Sequence, residues 1–235
     1  MSKVFIGVGH GGTDSGAAAN GFKEKDLNLV IALSCADVLL SHGVEFKMSR
    51  TKDENDTLND EVKECNAYNP DLAIDIHNNA GGGDGAEAFY HYKGGTSKTL
   101  AENVLNEIVK LGQNSRGAKI KKNIFGKDYY GFIRETKAPA VIVECAFVDN
   151  KTDIKIIDTA EEQKKMGVAI AKGILKTLGV TYKDPKAETE PKAEQQADQK
   201  IIYRVQVGAY TVKANAEKTL NELKKAGFNG IIVKG

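Results

Sequence analysis

The segment AVIVECAFV, residues 140–148, has the composition of a strand that is buried on both faces of a sheet. Apolar and mostly β-branched residues run through it, as in the central strands of parallel sheets. Period-two alternation separates two faces, one with Val141, Val143, Cys145 and Phe147, the other with Ile142, Glu144 and Ala146. A charged residue here is costly unless it is paired, bound to a metal or tuned for proton transfer. Glu144 is therefore a candidate catalytic or metal-binding residue, and a buried salt bridge is the alternative.

Strand and helix patterns alternate along the chain that leads to and follows this segment. The predicted elements are strand Lys3–Val8, helix Asp26–Leu40, strand Glu45–Met48, helix Thr57–Tyr68, strands Leu72–Ile76 and Ala86–Tyr92, helix Ser97–Leu111, strand Ala140–Val148 and helix Glu161–Leu178. This order predicts an α/β fold with a mostly parallel, twisted sheet flanked by helices. In such a sheet, functional side chains gather at the carboxyl ends of the strands.

Two of the four histidines follow predicted strands and are themselves followed by glycines. His10 lies in GVGHGG, residues 7–12, and His77 lies in IHNNAGGG, residues 76–83. Their shared placement at strand exits favours a common ligand, although either imidazole alone could be an ordinary hydrogen-bonding group. His42 comes at the end of a helix, and His91 lies between two tyrosines on a predicted outer strand. We interpret His42 and His91 as structural.

A metal site needs a third ligand besides His10 and His77. Glu24, in FKEKDLNL at the start of the first long helix, is one candidate, although it could instead complement the helix N-terminus. Catalytic zinc takes three protein ligands from His, Glu, Asp or Cys and keeps one position open. Glu24 and Glu144 are the two well-placed acids.

The glycines around His10 also satisfy the G-x-G-x-x-G pattern of dinucleotide-binding turns. On that interpretation Arg50, after the second strand, would accept a 2′-phosphate. The helix, however, should begin inside the glycine motif, and here the residues TDSGAAANGFKE intervene. A dinucleotide-binding oxidoreductase is therefore an alternative that leaves His77 and Glu144 unexplained.

The spaced motifs together resemble the zinc-dependent N-acetylmuramoyl-L-alanine amidases, a family of bacterial cell-wall hydrolases. They are VGHGG (8–12), EKDLNL (24–29), SRTKD (49–53), DLAIDIHNNA (71–80), SRGAK (115–119) and IRETKAPAVIVECAFVDN (133–150). The resemblance implies that His10, Glu24 and His77 bind Zn²⁺ and that Glu144 is the catalytic acid/base. The implied reaction is hydrolysis of the amide bond between N-acetylmuramic acid and L-alanine in peptidoglycan. Asn79 and Arg134 also match family positions, which implies substrate or supporting contacts.

The chain changes character after the predicted catalytic domain, residues 1–180. Residues 183–200, KDPKAETEPKAEQQADQK, contain no Val, Ile, Leu or aromatic residue, so we expect a flexible linker over 181–200. Residues 201–235 have six basic and two acidic side chains, which suits an anionic polymer. Their pattern predicts a strand, a helix and a strand.

This tail, YRVQVGAYTVKANAEKTLNELKKAGF (203–228), is similar to the SPOR-type repeat of cell-wall-binding domains. Because such a domain has two halves and the tail supplies one, either the chain is truncated or two chains pair. The second option predicts a homodimer through the C-terminal half-repeat, residues 201–235.

Composition narrows the partners and the setting. A net charge of +1 argues against a dedicated nucleic-acid binder, and no apolar run approaches a membrane span of roughly 18 residues. We interpret Cys35, Cys65 and Cys145 as buried core residues. The first residues lack a signal-peptide pattern, so we expect synthesis in the cytoplasm and action on the wall after release. A phage endolysin and a mother-cell autolysin both fit, and a non-catalytic peptidoglycan-binding protein is the alternative function.

Overall fold

The computed structural model describes residues 1–184 and 213–225. The chain divides into two compact units, residues 1–187 and residues 188–235. The larger unit contains a six-stranded sheet and a separate two-stranded hairpin. The strands of the sheet are β1 (Lys3–Val8), β4 (Glu45–Met48), β5 (Leu72–Asn79), β6 (Ala86–Tyr90), β7 (Ser115–Lys119) and β8 (Ala140–Phe147), and the hairpin pairs β2 (Ala18–Ala19) with β3 (Phe22–Lys23). The strand order across the sheet is β4-β1-β5-β8-β6-β7.

The sheet is parallel from β4 to β8, and β6 reverses direction against β8. The helices of the larger unit are α1 (Glu24–Ser41), α2 (Leu58–Tyr68), α3 (Thr96–Val109), α4 (Gly131–Glu135) and α5 (Ala160–Thr177), with a short 3₁₀ helix at Asp153–Ile156. The α/β prediction is confirmed, and the large predicted elements occur within a few residues of their expected bounds. The predicted start of α2 is also confirmed, because the Thr57 side chain accepts a hydrogen bond from the Asp60 amide.

Two hydrophobic clusters cover the two faces of the sheet. The larger cluster joins alternate residues of the central strands to α1, α3 and α5, with Ile6, Ile74 and Val143 fully buried. The smaller cluster joins the other face to α2 and α4 through residues such as Phe5 and Phe132. Because both faces are covered, the central strands are mostly apolar, and the acidic exceptions are Glu144 on β8, Asp75 on β5 and Glu87 on β6.

Several elements differ from the sequence prediction. Strand β5 continues to Asn79, so His77 lies within the end of the strand instead of after it. Strand β6 is internal, because β7 forms the edge of the sheet beside it. Strand β6 also ends at Tyr90, so His91 lies in the following turn. The sequence of β7, SRGAK, has no apolar alternation, and this is why it was not predicted.

The C-terminal region is described in part. The predicted tail helix is present as α6 (Lys213–Lys225), whereas both predicted tail strands and residues 185–200 of the predicted linker lie outside the described residues. Tyr182, at the start of the predicted linker, stacks on His42 of the larger unit with ring centroids 5.1 Å apart. None of the helices within residues 1–184 and 213–225 is both long and apolar enough to cross a bilayer.

Candidate metal centre and catalytic site

The turn after β1 holds His10 at the carboxyl end of the parallel strands. His10 itself has a left-handed backbone (φ 62°), and Gly12 follows with φ 55°. The backbones of Gly11 and Asp14 exchange two hydrogen bonds of 2.9 and 3.0 Å, which close the turn. His10 Nδ1 lies 2.8 Å from Asp14 Oδ2, so the ring is oriented by a carboxylate of its own turn.

Glu24 is the first residue of α1 and is buried. The hairpin β2–β3 leads the chain directly into this position. Backbone N–H groups of Ala17 and Asn78 donate to its two carboxylate oxygens at 2.9 and 3.1 Å. Its Oε2 lies 3.2 Å from His10 Nε2, and its Oε1 lies 3.0 Å from His77 Nδ1. Glu24 therefore lies between the two imidazoles that the sequence singled out.

His77 is fixed from its other side by Asp75, which precedes it on the same face of β5. Its Nε2 lies 3.0 Å from Asp75 Oδ2, and the side chain of Asp75 is buried. The imidazole also packs against the backbone of Gly9: a Cβ added there would lie 2.2 Å from the ring. Glycine at this position is therefore required for the approach of His77 to β1.

The three side chains fit a metal ion. One ligand atom from each of His10, Glu24 and His77 can be chosen so that all three lie within 4.8 Å of one another. Ligands at about 2.0–2.1 Å from a tetrahedral zinc ion are separated from each other by roughly 3.3 Å. The two histidine–glutamate separations are close to that value, and both imidazoles bind a carboxylate through the far nitrogen, as metal-bound histidines commonly do.

The electrostatics of the cluster favour a cation. Burial alone would raise the pKa of Glu24, but hydrogen bonds from His10 and His77 hold that pKa well below its usual range. The hydrogen bond to Glu24 raises the pKa of His10. The negative potential that favours positive charge on the imidazoles would equally favour a metal ion between them.

Glu144 lies beside this cluster. On β8 it is in register with His77 of β5 on one side and with Glu87 of β6 on the other. Its Oε2 is buried and has no hydrogen-bond partner among the described residues, and the ion pairs found there do not include it. Within the part of the chain that the structure describes, Glu144 is therefore not held by a salt bridge. Burial raises the pKa of Glu144 to about 7, and the charges of Glu24, Asp75 and Glu87 act in the same direction.

Asn79 contacts a network that sequence reasoning missed. Its Nδ2 donates to Glu87 Oε1 at 2.9 Å, and Glu87 Oε2 accepts from Arg116 and Lys119 of β7. Asn79 thus helps to position the carboxylate that lies next to Glu144 in the sheet. Asp14, Asp75 and Glu87 were all missed because acidic residues are common, and the contacts of Glu87 depend in addition on strand register.

Arg134 contacts the chain before α4. Its Nη1 donates to the backbone carbonyls of Asp128 and Tyr129, each at 2.9 Å, and its Nη2 lies 2.7 Å from Glu135 Oε1. These contacts hold the 128–130 segment against α4. Tyr130, at the end of that segment, packs its ring 4.8 Å from Phe89 of β6.

The remaining histidines and the cysteines take structural positions, as predicted. His42 ends α1 and contacts the Val38 carbonyl through Nδ1 at 2.7 Å. His91 pairs with the buried carboxylate of Asp128 at 3.2 Å. All three cysteines are free and buried. Cys145 lies on the face of β8 opposite Glu144 and belongs to the larger hydrophobic cluster, which α1, α3 and α5 cover.

The dinucleotide alternative fails on two observations. Helix α1 begins at Glu24, well after the glycine motif, so its N-terminus is not provided by that turn. Arg50 is 2% exposed and donates to the backbone carbonyls of Val8, Gly9, Lys25 and Lys52. Its guanidinium is therefore committed to the fold.

Comparison with known proteins gives one consistent result. Residues 4–176 match the N-acetylmuramoyl-L-alanine amidase family, and residues 180–234 match the SPOR domain. The sporulation-specific N-acetylmuramoyl-L-alanine amidase of Bacillus subtilis is 30% identical over 99% of this chain and 85% of its own length. The endolysin of Bacillus phage SPP1 is 34% identical over 81% of this chain and 73% of its own.

A solved structure agrees with the sequence relatives. The N-acetylmuramoyl-L-alanine amidase from Clostridium difficile 630 superimposes with a TM-score of 0.69 at 31% identity, covering 76% of this chain and 97% of that one.

Proposed function

The chain belongs to the N-acetylmuramoyl-L-alanine amidase family, and on that premise we propose that His10, Glu24 and His77 hold a zinc ion while Glu144 moves the proton of the reaction. As a member of this family, the protein hydrolyses the amide bond between N-acetylmuramic acid and L-alanine in peptidoglycan. The observation that carries the zinc proposal is the position of Glu24, whose two oxygens face one imidazole each.

The donor set suits zinc. Two imidazoles and one carboxylate are the three protein ligands of many catalytic zinc sites. When bound, zinc polarises a carbonyl oxygen and lowers the pKa of a water molecule toward neutrality. Asp14 and Asp75 would keep the two histidines in the tautomers that leave Nε2 of His10 and Nδ1 of His77 free to bind.

Glu144 supplies the proton transfers. With a pKa of about 7, its carboxylate can accept a proton from the attacking water and, once protonated, donate it to the departing nitrogen of L-alanine. Its Oε2 has no hydrogen-bond partner among the described residues, so no protein donor has to be displaced before that oxygen accepts a proton. Its register with His77 places this group beside the proposed metal ligands.

Product analysis by mass spectrometry tests both parts. Purified peptidoglycan is digested with wild-type protein, with Glu144→Gln and with wild-type protein treated with a chelator. We expect free peptides with an L-alanine amino terminus from the wild type alone, and zinc should restore the chelated sample. Glu144→Gln should retain stoichiometric zinc.

Three results would contradict the proposal: zinc-free protein that remains lytic, Glu144→Gln that still releases peptides, or wild type that binds the wall without releasing products. The last result would favour the non-catalytic alternative.

For the C-terminal region we propose that the SPOR domain binds peptidoglycan and keeps the amidase on the wall. The SPOR match begins at residue 180, so it is longer than the half-repeat at 201–235, and it does not test whether two chains share one domain. Pairing between chains therefore stays a prediction. Sedimentation equilibrium of the full chain tests this pairing. A dimer is the expected result, and a monomer at all concentrations would contradict it.

A further inference from the structure

A pair of cations, Arg116 and Lys119, lies on the edge strand β7, and both bind Glu87, the residue that pairs with Glu144 in the sheet. Arg116 Nε lies 2.9 Å from Glu87 Oε2, and Lys119 Nζ lies 2.5 Å from the same oxygen. Glu87 itself is 8% exposed, whereas the side chains of Arg116 and Lys119 are 38% and 36% exposed. The cations therefore extend from a buried carboxylate toward solvent.

The two positive charges of Arg116 and Lys119 exceed the single negative charge of Glu87. One carboxylate is neutralised by one cation, and Glu87 Oε1 is already occupied by the Asn79 amide. A guanidinium has five N–H donors and an ammonium has three. Within residues 1–184 and 213–225, each cation uses a single donor on Glu87, so most of their donors are available.

The Arg116 guanidinium also contacts an aromatic ring. The Arg116 guanidinium carbon lies 5.1 Å from the centre of the Phe147 ring, which covers one face of the group. A stacked guanidinium loses less freedom when its edge binds a carboxylate, because its plane is already fixed. Such preorganisation is typical of a binding group.

The sheet register gives the distance from this pair to the reacting bond. His77, Glu144, Glu87 and Gly117 follow one another across β5, β8, β6 and β7. Neighbouring strands lie about 4.8 Å apart, so β7 is about 10 Å from β8, and the cationic groups, which reach back to Glu87 on β6, lie between about 5 and 10 Å from β8. An extended peptide covers about 3.3–3.6 Å per residue. Starting from an amide bond held beside Glu144, an extended peptide therefore reaches the pair after about two or three residues.

We propose that Arg116 and Lys119 form a subsite that binds a carboxylate of the substrate's peptide arm, about two or three residues from the bond that is cut. This inference rests on the proposed function, because the distance is counted from Glu144. A carboxylate accepts hydrogen bonds from both cations at once, and its charge balances the excess positive charge that Glu87 leaves. The subsite would select substrates by the position of a negative charge along the peptide.

Synthetic substrates with a single carboxylate test the subsite in the wild-type protein. N-acetylmuramoyl peptides of two, three and four alanines are prepared with the terminal carboxylate either free or amidated, and kcat/KM is measured for each. We expect the free carboxylate to be favoured about tenfold or more at the best-matched length, since hydrogen bonds to charged groups are strong. Equal kcat/KM for free and amidated peptides at every length would overturn the proposal.

Variants then assign the preference to the pair. Arg116→Met and Lys119→Met should each remove most of the preference for the free carboxylate, and Arg116→Lys should retain part of it. Lys98→Met on α3, an exposed lysine paired with Glu102 at 3.6 Å, is the matched control and should keep the wild-type ratio. A wild-type ratio in both methionine variants would also overturn the proposal. Release of peptides by Glu144→Gln would instead contradict the proposed function, so the two failures are distinguishable.

Discussion

The Nε2 atom of His77 lies 3.0 Å from Oδ2 of Asp75, a carboxylate that is 4% exposed on the same strand. Since a carboxylate only accepts hydrogen bonds, this contact keeps a proton on Nε2, so Nδ1, which faces Glu24 Oε1 at 3.0 Å, is the nitrogen that would bind a metal ion in place of its proton. His10 has the equivalent contact with Asp14, but that carboxylate is 67% exposed. The two histidines thus have the same kind of support in two very different environments.

This difference predicts unequal effects on metal affinity. Asp75→Asn should weaken zinc binding roughly 10- to 100-fold, because a buried supporting charge is lost. Asp14→Asn should have a smaller effect, since water screens and replaces an exposed carboxylate. Competition with a fluorescent zinc chelator measures both. Equal losses in the two variants would show that the burial of Asp75 is unimportant.

The buried carboxylate of Glu144 predicts a pH-dependent cost in stability. Its pKa is about 7 in the folded protein and 4.5 ordinarily, so the folded state holds the proton more tightly than the unfolded state. The stabilisation that protonation provides is complete below pH 4.5 and is lost as the pH rises to 7. In chelated protein, Glu144→Gln should therefore be more stable than wild type at pH 8, by up to about 3 kcal/mol.

Urea denaturation of the chelated proteins at pH 5 and pH 8 measures this effect. At pH 5 the two proteins should differ little, because glutamine resembles the protonated side chain. Glu102→Gln, at an exposed site on α3, is the control and should show no such pH dependence. An equal stability difference at both pH values would contradict the prediction.

The close approach of His77 to Gly9 predicts that a single methyl group disrupts the centre. Gly9→Ala places a Cβ 2.2 Å from the imidazole, so the ring or β1 must shift. We expect a loss of about 1–3 kcal/mol in stability and a loss of bound zinc measured by elemental analysis. Gly112→Ala separates the two effects: its φ of 95° imposes backbone strain, but no atom lies within 4 Å of the new Cβ. It should lose stability and keep its zinc.

Arg50 predicts a purely structural loss near the site. It donates to four backbone carbonyls, including that of Gly9, so Arg50→Met removes four hydrogen bonds, three of them buried. The free energy of unfolding should fall by about 3 kcal/mol. Arg134→Met is the matched control, because Arg134 binds two carbonyls from a position that is 31% exposed; it should lose about 1 kcal/mol. Similar losses in both variants would contradict the assigned role of burial.

The regular elements and the candidate site residues were predictable because their signals are local. Apolar runs specified the central strands, and glycines after two of them marked the turns near His10 and His77. Glu144 stood out because a charge in an apolar strand needs a reason. Edge strand β7 was missed because an edge strand is short and half solvated, so its composition resembles a loop.

The sequence by itself determined the layers of the fold, the family and the four residues His10, Glu24, His77 and Glu144. Only the tertiary structure decided how they are arranged: Glu24 between two imidazoles, Asp75 behind His77, and Glu87 with its two cations beyond Glu144. The reason is physical. Burial patterns act over a few neighbouring residues. Apart from Asp75 and His77, which are near neighbours on β5, these contacts join segments far apart in the chain, and the register of the strands together with the packing of α1 brings them within hydrogen-bond distance.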